Sequence, residues 1–198
     1  MEKNKKNKGF TLVELLVAVT VFTLVVGVAV DFFIYAVQSQ RRVLAYQEVL
    51  DQTSFIIEYI ARDIRMAKKQ RGATDPMTCL PTGNNYELVG GRTDHIRMIG
   101  WDHLVPFPHF VCFEIRLNGT ILEKSRDRGL SWTRLTSPRL EVIRLRFDVI
   151  GDRVEGSLAT QLQPRVTMVL EVRGREYALG GRPTIQLQTT ISQRDPDI

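Results

Sequence analysis

Three patterns of apolar and polar residues follow one another along the chain. From Phe10 to Val30, 21 residues (FTLVELLVAVTVFTLVVGVAV) carry one charge, Glu14, and apolar character resumes after Asp31 with FFIYAV. A helix of that length rises ~31 Å, close to the hydrocarbon thickness of a bilayer. A second pattern places Val43, Tyr46, Leu50, Thr53, Ile57, Ile60, Ile64 and Ala67 at alternating spacings of three and four. All but Thr53 are apolar, which predicts one buried helix face, with Glu58 and Arg62 as an i,i+4 pair on the other. No proline precedes Pro76. The two patterns therefore predict one helix over residues 10–72, with 10–37 spanning a membrane and 38–72 packed on a sheet. Gly72 and Asp75-Pro76 supply the stop.

Beyond Pro76 the period becomes two. HFVCFEIRL and TILEKS flank Asn118-Gly119, the signature of a β-hairpin with a type I′ turn. LEVIRLRFDVIG alternates Val142, Arg144, Arg146 and Asp148 with Ile143, Leu145, Phe147 and Val149, which predicts a half-buried strand. RVTMVLEV, an Arg173-Gly174 turn, REYALG and TIQLQTTIS predict further strands. Residues 73–95, rich in Pro, Gly, Asn and Thr, read as the loop between helix and sheet. A helix followed by strands argues an α+β fold with an antiparallel sheet, residues 73–198 forming an extracytoplasmic β domain.

Charge changes this picture at one end only. The net charge is +5, and the first nine residues carry four Lys against one Glu. Residues 10–72 and 73–198 each carry an excess of one cation, so no basic domain remains to neutralise a phosphate backbone, and nucleic acid is not an expected partner. A basic flank stays on the cytoplasmic side, which puts the N-terminus inside and the β domain in the periplasm or exterior. The apolar run exceeds the ~7–15 residues of a secretory signal's core and lacks an A-x-A-like site, so an anchor fits better than a removed signal. On this topology Cys79 and Cys112 face an oxidising compartment, and a bridge between them is expected.

Glu14 is the residue that a plain anchor leaves unexplained. A charge near the centre of a membrane helix costs roughly 2.5–3.5 kcal/mol, less near the interface. No cation lies within Phe10–Val30. Its partner is interfacial water, another chain, or a charge created by cleavage.

The string KGFTLVELLVAV resembles the class III signal of type IV prepilins and type II secretion pseudopilins. In those proteins a short basic leader ends in Gly, followed by Phe and, four residues later, Glu; the matching residues here are Gly9, Phe10 and Glu14. The resemblance implies a pilin-like fold and removal of residues 1–9 by prepilin peptidase between Gly9 and Phe10. It further implies N-methylation of Phe10 and an assembly role for Glu14 against the terminal amine of a neighbouring subunit. The segments LSWTRLTSPRLEVIRLRFDVIG and QPRVTMVLEVRG…TTISQRD are similar to the tail of PulJ/PilW-type (GspJ-like) minor pilins. The implied function is a minor pilin or pseudopilin in the cytoplasmic (inner) membrane. Its implied partners are other major and minor pilins, with which it would initiate or cap a type IV pilus or type II secretion pseudopilus.

Other chemistry is weakly signalled. His95, His103 and His109 have no metal-face spacing and read as surface residues, and no HExxH, CxxC, P-loop, GxSxG or GxGxxG occurs. No catalytic residue, metal or cofactor is expected, and the chain is not expected to be an enzyme. Trp101, Phe107 and Phe110 form either an exposed aromatic patch or, more simply, core. Arg144 and Arg146 read as a solvated strand face. Alternative readings are a pilus-tip module that binds DNA, a surface or a secreted substrate through residues 73–140, and, less well supported, a membrane-tethered periplasmic enzyme.

Overall fold

The computed structural model describes residues 9–70, 72, 78–102, 109–151, 163–175 and 181–194, with residues 102 and 109 described in their backbone alone. REYALG beyond Arg175, Phe107 and His103 lie outside the described residues, as does the side chain of His109. The chain divides into two units, residues 1–43 and 44–198. Helix α1 (Leu12–Arg65) begins in the first and ends in the second.

In the first unit, the apolar side chains of α1 from Leu12 to Tyr35 are exposed. It is the one described helix long and apolar enough to cross a membrane. Its hydroxyls turn inward on the helix itself. Thr20 Oγ1 donates to the Val17 carbonyl at 2.8 Å, and Thr23 Oγ1 to the Val19 and Thr20 carbonyls at 3.0 and 2.9 Å. These bonds satisfy polar groups that an apolar surrounding would otherwise leave bare.

In the second unit, α1 buries Val49, Thr53, Ile56, Ile60, Ala61 and Ile64. The expected face holds at Thr53, Ile60, Ile64 and Ala67 and in part at Ile57, which packs half-buried against the core beside the buried Ile56; it fails at Leu50, whose neighbour Val49 goes inside instead. Val43, Tyr46 and Leu50 are exposed. A strict 3.5-residue repeat drifts ~20° per heptad against a straight 3.6-residue helix. The helix packs on a sheet and not on a supercoiling partner, so its buried face follows 3.6. Thr53 is tolerated inside because its Oγ1 donates to the Val49 carbonyl at 2.5 Å.

The helix ends at Arg65, short of the expected Gly72. The Lys68 amide donates to the Ile99 carbonyl at 2.9 Å, so the chain leaves the helix to bridge a strand.

Among the described residues eight strands follow, all pairing antiparallel, which gives the expected α+β architecture. The first sheet has β1 (Tyr86–Leu88), β2 (His95–Asp102), β3 (His109–Asn118), β4 (Ile121–Ser125) and β5 (Thr133–Arg134), in that order. The second has β6 (Leu140–Ile150), β7 (Arg165–Gly174) and β8 (Thr184–Ser192). One hydrophobic cluster joins Ile60 and Ile64 of α1 to Ile96, Ile115 and Leu122 of the first sheet and Phe147, Val166 and Leu170 of the second.

Three local expectations are corrected by the register. The β3–β4 loop is Gly119-Thr120 and not Asn118-Gly119, since Asn118 pairs with Ile121. Gly119 takes φ 61° at the first loop position, which is the requirement of a type II′ turn. This register sets Arg116 opposite Glu123, where they form an ion pair at 3.0 Å.

In β6 a bulge falls between Val142 and Arg144. The extra residue reverses the alternation, so Leu140 and Val142 are buried before it and Leu145 and Phe147 after it. Ile143, expected inside, is exposed, and Val142, expected outside, is fully buried.

Arg173-Gly174 is strand and not turn: Gly174 pairs with Leu140. A Cβ at Gly174 would lie 3.0 Å from Pro183 Cγ and 3.1 Å from Val49 Cγ2, so the glycine permits a close approach.

Candidate functional site

The first turn of α1 carries the Thr-x-x-Glu pattern of a capping box, with its threonine half formed. Thr11 precedes the helix, its Oγ1 accepts the Glu14 amide at 3.2 Å, and its hydroxyl donates to Glu14 Oε2 at 3.5 Å. The Leu15 amide donates to the Thr11 carbonyl at 3.2 Å, closing the first helical bond. The motif Thr-x-x-Glu was present in the sequence as T-L-V-E, and it gives Glu14 a local reason to be there. A carboxylate in the first turn is also favoured by the positive end of the helix dipole. Among the described residues no cation pairs with Glu14, so the box reduces its cost and leaves its charge uncompensated.

Gly9 and Phe10 lie ahead of this cap, outside any regular element and exposed, Phe10 by 80%. A scissile peptide must be drawn out extended into a protease. Here the Gly9–Phe10 bond can be so drawn without breaking a helical hydrogen bond, because the first of these starts at Thr11. Cleavage would leave an amine at Phe10, one residue before the cap.

Cys79 and Cys112 are joined in a disulfide, with Cα atoms 5.8 Å apart. It ties the segment after α1 to the middle of β3, and both residues are buried. The same segment is held by Gln70, fully buried, whose Oε1 accepts the amides of Cys79 and Leu80 at 3.1 and 3.4 Å. These contacts organise the fold and create no reactive thiol.

His95 is buried and not at the surface. Its Nε2 lies 2.8 Å from Glu114 Oε2, and Arg97 Nε donates to Glu114 Oε1 at 2.8 Å. Arg97 also pairs with Glu87 at 3.0 Å. The Trp132 ring meets His95 edge-on at 5.8 Å and lies under the Arg116 guanidinium at 3.6 Å. This network escaped sequence reading because Arg97 faces Glu114 only once the β2–β3 register is known. Each member has a structural partner, and no group of three His, Cys, Asp or Glu side chains suited to a metal occurs among the described residues.

Two further features stand apart from the N-terminus. Trp101 and Phe110, paired across β2 and β3, stack edge-to-face at 4.6 Å and are both about 40% exposed, so they are patch more than core. Asp127 is the hub of the turn after β4. Ser125 Oγ and the Ser131 amide donate to its Oδ1 at 2.7 and 2.8 Å, and the Ser131 hydroxyl donates to its Oδ2. The Ser131 bonds, and then that of Ser125, lower its carboxyl pKa to about 2.

Arg144 and Arg146 are exposed, 3.8 Å from Glu171 and 3.0 Å from Asp148 respectively. They form a solvated face balanced by acids.

Comparison with known proteins places one label on the chain. Residues 4–30 match the family model of the prokaryotic N-terminal methylation motif. That stretch contains Gly9, Phe10, Thr11 and Glu14 together with most of the exposed apolar helix. None of the curated proteins and none of the solved structures matches the chain. The motif marks a prepilin-type N-terminus and, with the apolar helix, supports a membrane-anchored pilin or pseudopilin processed by prepilin peptidase.

Proposed function

We propose that this chain is a minor pilin or pseudopilin of the PulJ/PilW type. Prepilin peptidase cuts it between Gly9 and Phe10, Phe10 is N-methylated, and the mature subunit joins other major and minor pilins. Its N-terminus starts in the cytoplasm, residues 10–37 span the inner membrane, and the β domain lies outside. Its work is assembly, initiating or capping a type IV pilus or type II secretion pseudopilus, and it catalyses no reaction. The observation that carries this reading is an unstructured Gly9–Phe10 junction directly ahead of a capped, exposed, apolar helix whose one early charge is Glu14.

The physics is coherent with that role. A carboxylate in an apolar surrounding is tolerated when paired and costly when not. Cleavage makes an ammonium at Phe10, and that of an adjacent subunit would neutralise Glu14 and fix the axial register. The intact mass of the chain recovered from cells with and without prepilin peptidase tests the processing. The expected result is loss of residues 1–9 plus one methyl group only where the peptidase is present; a full-length mass in both defeats the proposal. Glu14→Gln should leave cleavage intact and abolish incorporation into filaments.

A second reading has one observation in its favour. The exposed Trp101–Phe110 pair is apolar surface on the β domain, as a tip module that recognises a partner would need. Trp101→Ala with Phe110→Ala would then spare assembly and remove the recognition.

A further inference from the structure

The two sheets have four outer edges, and three are closed or short. β1 has three residues and β5 has two, too few to template another strand. β6 spends its edge on the first sheet: the Phe147 amide donates to the Thr93 carbonyl at 2.7 Å and the Val142 amide to the Thr120 carbonyl at 2.9 Å. β8 differs. It is nine residues long, TIQLQTTIS, with no charge, no proline and no irregularity in its register with β7. Lysine, proline, a bulge and shortness are the usual devices that keep an edge from pairing, and β8 has none of them.

The direction of its free groups can be read from the bonds that flank it. The Gln193 amide donates to the Pro164 carbonyl at 3.1 Å, and the Gly174 amide to the Pro183 carbonyl at 2.9 Å. Both continue the β7–β8 ladder, so odd-numbered residues of β8 direct their backbone groups at β7. Thr184, Gln186, Gln188, Thr190 and Ser192 direct theirs outward. Among the described residues nothing bonds those outward groups.

We propose that this open edge pairs antiparallel with β8 of a second copy of the chain, joining two three-stranded sheets into one. The sequence of the strand is what selects a second copy. Centred on Gln188, full overlap sets Ile185 opposite Ile191 of the other copy and Leu187 opposite Thr189, which extends the inward apolar row. On the other face it sets Gln186 opposite Thr190 and Thr184 opposite Ser192. A strand that meets itself repels itself if it carries charge, and this one carries none. One pair of edge strands gives a modest affinity by itself, and a membrane anchor raises the effective concentration of the two copies. The proposal goes beyond the processing and assembly reading and stands on the sheet alone. Its failure would leave the mass measurement at Phe10 untouched.

Cross-linking of the full-length chain in membranes tests it. Cys79 and Cys112 are bonded to each other, so Gln188→Cys introduces the one reactive thiol. With a short bifunctional maleimide, Gln188→Cys should give an adduct of twice the chain mass. Arg146→Cys, exposed on β6 away from the edge, should give none. Co-expression of Gln186→Cys with Thr190→Cys chains should give a mixed disulfide exceeding that of either alone. Adding lysines at Gln186 and Thr190 to the Gln188→Cys chain should reduce its adduct to the Arg146→Cys level. A Gln188→Cys adduct no greater than that control, an adduct to a different protein, or mixed chains that link no better than single ones would each overturn the proposal.

Discussion

Asp63 on α1 and Lys124 on β4 form a buried ion pair, with Nζ 2.6 Å from Oδ2 and the two side chains 15% and 5% exposed. Lys124 also donates to the Tyr59 hydroxyl at 3.2 Å and sits 4.1 Å from the centre of the Phe113 ring. Burial raises the Asp63 carboxyl pKa, and Lys124 opposes that shift without cancelling it. Removing one partner strands the other: Lys124→Ala should cost about 3–5 kcal/mol. The double change Asp63→Leu, Lys124→Met should recover most of that loss, because it leaves no buried charge. Urea unfolding of the detergent-solubilised chain, followed by tryptophan fluorescence, measures both.

Acid should act on this protein in two opposed ways. Asp127 titrates near 2 when folded against an ordinary 3.8, and Asp94 and Glu141 are also lowered, first by their bonds to Arg92 and Arg173. Their stabilisation is present above the unfolded values and is lost as pH falls through the folded ones. Asp63 is raised, so its contribution has the reverse sign: present below 3.8 and lost as pH rises through its folded value. The lowered acids outnumber it, and stability should fall between about pH 4 and 2. Asp127→Asn should flatten that descent, as read from the thermal midpoint at each pH.

The Cys79–Cys112 bridge closes a separation of 33 residues. Loop-closure entropy on that scale is worth roughly 3–4 kcal/mol. The Cys79→Ser, Cys112→Ser chain should lose that amount and become protease-sensitive between residues 66 and 85, where limited proteolysis with mass mapping would locate the cuts.

Two glycines should respond differently to alanine. A Cβ at Gly100 would lie 2.5 Å from Phe113 Cε2, and that ring is buried beneath the Lys124 ammonium. At Gly174 the nearest atoms, on Pro183 and Val49, are at 3.0 and 3.1 Å. Gly100→Ala should therefore cost about 1–3 kcal/mol and Gly174→Ala less. A reversal of that order in parallel denaturation curves would mean that the Phe113 ring yields more easily than the proline.

How much the sequence revealed depends on how local each feature is. The apolar run, the leader and the Gly9–Phe10–Glu14 spacing lie within a few turns of one another and were legible at once. The capping role of Thr11 was equally local and could have been read from T-L-V-E. Strand existence was also visible, because a period of two survives without knowledge of the partner. What escaped needs a partner strand. The bulge at Ile143 reverses a face only relative to β7, and the loop is Gly119-Thr120 only relative to β4, where Asn118 pairs with Ile121. The helix face drifted because a sheet, unlike a second helix, imposes no 3.5-residue repeat. The burial of His95 likewise depends on a partner strand, since Glu114 lies nineteen residues away along the chain.

Gln193 has a consequence of a different kind. Its Nε2 donates to the Ala67 carbonyl at 2.8 Å, its Oε1 accepts from Asn85 at 2.8 Å, and the next amide, Arg194, donates to the Arg65 carbonyl at 3.0 Å. The foot of the helix is thus clasped by residues made about 126 positions later. A polypeptide made from its N-terminus onward cannot fasten that clasp until Gln193 and Arg194 have been added and have reached Ala67 and Arg65. Until then the helix foot stays open, and closure of the β domain around it waits on the arrival of a single glutamine.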